Sequence, residues 1–179
     1  MSAPKGDQFF TFAYEKLITS VIEYVDNGCQ GNAMARAAAS VSPRMQPSYE
    51  AVGSGMELLL RSHNVASAKR RQRNVLVGDE SLAIVSLRLH LILSQPNGLE
   101  IAAHIYFSEK ALTPTELGVL DTAVALAVQD AAPGAVPAII MARAGTLRII
   151  DTRVALSAGQ IEFLRQESLS YREEWSASA

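Results

Sequence analysis

LRLHLILSQPNGLEIAAHIYF, residues 87–107, holds two alternating runs around a Pro-Asn-Gly turn, and the register between them decides how the sheet is built. A slip of one residue swaps the two faces of a strand. With a two-residue loop at Pro96-Asn97, Leu93 would face Glu100, and apolar would oppose polar along the ladder. With Pro96-Asn97-Gly98 as a three-residue loop, its glycine left-handed, Leu93 faces Ile101, Leu91 faces Ala103, Leu89 faces Ile105 and Leu87 faces Phe107. Apolar then meets apolar throughout, which selects the second register.

The other face follows. Ser94 opposes Glu100, Ile92 opposes Ala102, His90 opposes His104, and Arg88 opposes Tyr106. Directly opposed residues have β-carbons about 4.5–5.5 Å apart, so two of the chain's three histidines are predicted neighbours. Such a pair can offer two corners of a metal site or titrate jointly, and His90 and His104 are the metal candidates. A third ligand is not visible on the hairpin: Glu100 lies roughly 13 Å from His104 at the rise of a strand. A site needs at least three convergent groups. The plainer reading makes these residues the outward side of a partly exposed sheet. No catalytic residue and no cofactor is assigned.

Outward from this hairpin, residues 82–94 and 99–108 are the strands, with Asn74–Val77 a shorter one before them. Thr113, Pro114 and Glu116 together mark a helix start, as cap, first-turn proline and capping-box partner. Leu117, Leu120, Val124 and Val128 follow on one face, and Pro133-Gly134 stops the helix. Residues 136–143 and 146–154 are two more strands around Ala144-Gly145. Ser157 with Gln160 opens a last helix to about residue 174, with Ile161, Leu164, Tyr171 and Trp175 inward.

Before the hairpin the chain is mostly helical. Residues 7–26 have helical spacing at Phe10, Tyr14, Leu17, Val21 and Val25, widened by Phe9, Phe12, Ile18 and Ile22. So wide an apolar face is buried on more than one side, against the core or a partner. Asn32–Ser40 and Ser48–Leu60 are further helices, although Gly53 and Gly55 weaken the second. That Gly-Ser-Gly lacks the lysine of a phosphate loop and reads as a closely packed or flexible helix segment. The expected architecture is α+β: a mostly antiparallel sheet of about five strands, in the order helices-βββ-α-ββ-α, with helices packed on one face. A helical segment, residues 1–70, precedes the α+β part, residues 71–179, and the two are expected to form one compact unit.

Composition narrows function. The chain has 179 residues, 49% hydrophobic, 19% charged and 6% aromatic, which is globular with a bias to small and aliphatic side chains. A net charge of −2 argues against a surface wholly devoted to nucleic acid or membrane. The single cysteine, Cys29, excludes an intrachain disulfide and the paired spacing of a zinc site. With no apolar run of membrane-spanning length and no signal-peptide pattern, a soluble cytoplasmic protein is expected.

The leading expectation is a non-enzymatic interaction protein: an adaptor, inhibitor or chaperone-like regulator. It would bind a protein partner, or a second copy as a homodimer, through a sheet edge or the N-terminal helix at Phe9, Phe10, Phe12, Tyr14, Leu17 and Val21. The alternative is a nucleic-acid-associated regulator that contacts phosphate through Lys69, Arg70, Arg71 and Arg73. A solvated strand edge explains that run equally well, and no aromatic residue interleaves with it. The third class is an enzyme or metal protein built on the His90/His104 face.

Overall fold

The computed structural model describes residues 13–71, 74–79 and 82–177. Three helices lead: α1 (Glu15–Asp26), α2 (Ala33–Ala39) and α3 (Gln46–Ser62). Strands β1 (Ser67–Arg70), β2 (Asn74–Asp79), β3 (Leu82–Arg88), β4 (Leu91–Ser94) and β5 (Glu100–Tyr106) follow. Helix α4 (Pro114–Ala131), strands β6 (Val136–Met141) and β7 (Thr146–Ile149), and helices α5 (Thr152–Ala155) and α6 (Ala158–Ala177) complete the order. The fold is α+β.

The main sheet runs β1-β4-β5-β6-β7, and β2 and β3 form a separate pair. Within the main sheet β5 and β6 are parallel and the other neighbours antiparallel. Parallel neighbours need a crossover connection, and α4 supplies it. At its start the Glu116 N–H donates to the Thr113 hydroxyl at 3.2 Å, and the Glu116 carboxylate takes the Thr113 N–H at 2.7 Å. The capping box predicted there is complete.

The predicted turn also forms. Gln95 N–H donates to the Leu99 carbonyl, Gly98 N–H to the Gln95 carbonyl, and Gly98 has φ +83. Leu91 pairs Ala103, Ile92 pairs Ala102, Leu93 pairs Ile101 and Ser94 pairs Glu100, as the side-chain pattern requires.

Three expectations need correction. First, helices cover both faces of the sheet. Helices α1–α3 share a core with Leu91, Leu93, Ile101, Ala103, Ile105, Ala138 and Ile140, and α4–α6 share a second with Ala102, Ile139, Leu87 and Leu89. Ala102 and Ala103, adjacent in sequence, are fully buried on opposite faces. Central strands buried on both sides read as continuous apolar runs, and IAAHI and AII are such runs.

Second, SAKR is a strand. Ser67–Arg70 pairs antiparallel with β4, with Ala68 as its buried residue. The division expected at residue 70 therefore falls at the end of a strand in the main sheet.

Third, the strand predicted over 82–94 bends. Between the pairs Arg70↔Leu91 and Asn74↔Arg88 the register moves by one residue. At the bend the His90 N–H donates to the Ala103 carbonyl, so His90 and Leu91 both stand against Ala103, as in a β-bulge. Leu87 and Leu89 then enter the core opposite to that of Leu91 and Leu93. The pairs Leu89–Ile105 and Leu87–Phe107 are not part of the ladder.

Candidate functional site

The bend sets the positions of both histidines. The rings are neighbours, as predicted, with centroids 5.0 Å apart and planes tilted by 57°. They are not outward decoration. His90 is buried, and its Nδ1 accepts the Ile105 N–H at 2.9 Å. Where the ladder stops, an imidazole takes over from a backbone carbonyl. His104 Nδ1 lies 2.8 Å from the Arg88 carbonyl, which can only accept, so that nitrogen carries the proton. The His90 ring thus satisfies the Ile105 N–H at the bulge, and the His104 ring donates to the Arg88 carbonyl.

Burial pushes both imidazoles down. His90 falls to about 2, by desolvation first and then by the positive potential of His104, Arg88 and Arg70. Desolvation also lowers His104, against the opposing pull of its bond to the Arg88 carbonyl. Both are neutral near pH 7. In that state His90 has its lone pair on Nδ1 engaged and its proton on Nε2, which does not suit a metal ligand. Among the described residues no group of three or more His, Cys, Asp and Glu side chains is placed to hold a metal ion.

His90 also meets the Phe107 ring edge-on at 5.5 Å, and Phe107 stacks on Tyr14 at 4.2 Å. Tyr14 in turn stacks on Tyr49 at 5.4 Å. Beside this row, Ser48 is hydrogen-bonded to Tyr14 and to Arg143, whose Nε donates to the Phe107 carbonyl at 2.9 Å. These contacts fasten α1 and α3 to the end of β5.

The other candidates separate. His63 closes α3, with Nδ1 against the Leu59 carbonyl at 3.0 Å, and its own carbonyl accepts from Gln95 at the far end of β4 from His90. Cys29 is half-buried, and burial raises its thiol above the usual range despite the charge of Arg61, so it stays protonated near pH 7. Asp151 caps α5 and pairs with Arg153 at 2.9 Å.

Two arginines of the basic run are engaged within the chain itself. Arg70 pairs with Glu15, which also holds Arg88 at 2.7 Å. Arg71 donates to the Ala131 carbonyl at the C-terminus of α4, where a cation is favoured. Lys69 is exposed, and Arg73 lies outside the described residues. Arg70 and Arg71 tie the end of β1 to α1 and α4.

The N-terminal helix is likewise turned inward. Tyr14, Leu17 and Val21 are buried in the chain's own core, so they offer no partner surface in this fold. Phe9, Phe10 and Phe12 lie outside the described residues.

Two features escaped the sequence. One is a groove of about 410 Å³ beside the hairpin, lined by Leu87, His104, Leu112, Leu120, Leu164 and Glu167 among others. The half-buried state of Leu120, on the apolar face of α4, is its signature. The other is apolar exposure along β7: Leu58 is 60% exposed, Ile149 51% and Val154 61%. Periodicity identifies such residues as apolar and is blind to whether a neighbour covers them.

No protein-family model matches the chain, and comparison with curated proteins and with solved structures finds no match.

Proposed function

We propose that this chain is a non-enzymatic protein-binding module that takes an extended segment of a partner protein onto the free edge of β7. The supporting observation is that edge itself. Ile150 N–H donates to the Pro137 carbonyl. In an antiparallel ladder bonding alternates, so Thr146 and Arg148 also turn their backbone groups to β6, while Leu147 and Ile149 turn theirs outward. Among the described residues no strand pairs with this side.

Natural sheets guard such an edge with charge, proline or a bulge. The one charge on β7 is Arg148, and its guanidinium is drawn onto Asp121 by bonds of 3.0 and 2.6 Å. Exposed Ile149 and Val154 flank one end of the strand, and exposed Leu58 lies beside Gly145 at the other. Open backbone groups give affinity to an added strand, and apolar flanks select its side chains. A second copy is a poorer occupant: symmetric pairing centred on Arg148 sets two arginines face to face. The setting we propose is cytoplasmic, in keeping with a lone, protonated thiol.

A displayed library of ten-residue peptides, selected on the full chain, tests this. Enriched peptides should alternate apolar residues and slow amide exchange at Leu147 and Ile149 at least tenfold. Leu147→Pro removes one outward N–H, a change that edge strands tolerate, and should abolish peptide binding with the fold intact. Peptides that protect another element would overturn the proposal. Protection that grows with protein concentration, without peptide, would assign the edge to self-association instead.

A further inference from the structure

We propose that the groove beside His104 binds a small, uncharged, mostly apolar molecule carrying one hydroxyl donor, such as a phenol or an aliphatic alcohol. This goes beyond strand binding at β7 and does not depend on it.

Four observations converge. The groove, of about 410 Å³, falls within the range of small-molecule sites. Leu87, Leu112, Leu120 and Leu164 supply apolar walls from β3, the β5–α4 connection, α4 and α6. His104 and Tyr106 are the neutral polar groups that the hairpin contributes there, and the His104 tautomer is fixed from behind. Nδ1–H is tied to the Arg88 carbonyl, so Nε2 is left as a lone-pair acceptor. A ligand hydroxyl matches an acceptor, whereas an ether of the same shape does not.

Charge decides the rest. Among the described residues the ionisable groups lining the groove are His104, Tyr106, Glu116 and Glu167, with no lysine or arginine among those. The Tyr106 hydroxyl is engaged with the Lys110 carbonyl, and the Glu116 carboxylate with Lys110 and the Thr113 N–H. Both are committed to the wall. Lys110, the cation nearest the wall, is already held by Glu116, so a carboxylate or phosphate ligand would meet the charge of Glu167 and is disfavoured. A bare hydrocarbon would cover the imidazole nitrogen and leave it unpaired, the situation that gives polar recognition its selectivity.

The test compares three probes of one shape on the full chain: 2-naphthol, 2-methoxynaphthalene and 2-naphthoate. Ligand fluorescence gives affinity, and the ¹⁵N shift of His104 Nε2 reports the contact. Naphthol should bind at least tenfold more tightly than the methyl ether, with naphthoate weakest, and should move the Nε2 resonance. Leu120→Trp fills the groove while leaving the imidazole in place, and should remove binding without changing the His104 Nδ1–H signal. His104→Phe should erase the preference for naphthol over the ether. Equal binding of naphthol and ether by the native chain, or naphthol binding that survives Leu120→Trp, would overturn the assignment.

Discussion

The His90 ring accepts a backbone hydrogen bond only while Nδ1 is unprotonated, so this residue couples the bend to pH. Its folded value, about 2, lies below the ordinary 6.5. Between those values the unfolded chain binds the proton and the folded chain does not, so stability falls as pH drops through that window. One such group contributes about 1.4 kcal/mol per pH unit well inside the window, or roughly 2.5 kcal/mol between pH 7 and 4.5. His104 is shifted the same way and adds to the slope. In His90→Asn the side-chain oxygen stands where Nδ1 stood and cannot titrate near neutrality. Urea unfolding at pH 7, 5.5 and 4.5 should show a shallower loss in that variant, and parallel losses would refute the role. At this scale the adjacency of the two rings was legible, because the turn and four matched pairs fix it. Their burial was not. It depends on a bulge at His90 that brings a ring to the Ile105 amide, and side-chain alternation has no mark for that.

At the scale of elements, the two glycines of α3 behave differently. A β-carbon on Gly55 would lie 1.9 Å from the Ala142 carbonyl oxygen, and one on Gly53 would meet the Met34 β-carbon at 3.3 Å. The α3 backbone at Gly55 therefore rests directly on the turn between β6 and β7. Gly145, at φ +63, returns the contact, with the Gly55 carbonyl 2.8 Å from where its own β-carbon would be. Gly55→Ala must push backbone apart and should lose about 3 kcal/mol or more. Gly53→Ala gains about 1 kcal/mol of helix propensity against a tight contact, and should stay within that range of the native chain. Denaturant midpoints measure both, and equal losses would contradict the packing described. The close-packed reading of Gly-Ser-Gly was available from its sequence, but the element it packs on was not. Strand β1 was hidden for a related reason. Its charged residues describe what the strand meets, Glu15 for Arg70, and its one buried side chain is only an alanine.

For the molecule as a whole, the question is whether the helical N-terminal third can be separated from the sheet. Element order suggested a division near residue 70, but the sheet has two buried faces and the first three helices supply the cover for one of them. Cutting there would strip β1 from β4 and expose Leu91, Leu93, Ile101, Ile105 and Ile140, each now 2% exposed or less. Burial of one such side chain contributes about 1.5–3 kcal/mol, so the five together amount to roughly 7–15 kcal/mol. That rivals the entire stability of an ordinary domain, about 5–15 kcal/mol. A fragment of residues 71–179 should therefore fail to fold cooperatively, and should show dye-binding apolar surface and no sharp urea transition. The full chain should unfold in one step, with amides of α1 and α4 losing protection together even though they lie in different cores. The cooperativity runs through the alanines between them: Ala102 and Ala103 press on opposite layers from consecutive positions of one strand, so neither layer can loosen without uncovering the back of the other. A fragment that folds alone, or two separate exchange transitions, would show that residue 70 is a true boundary.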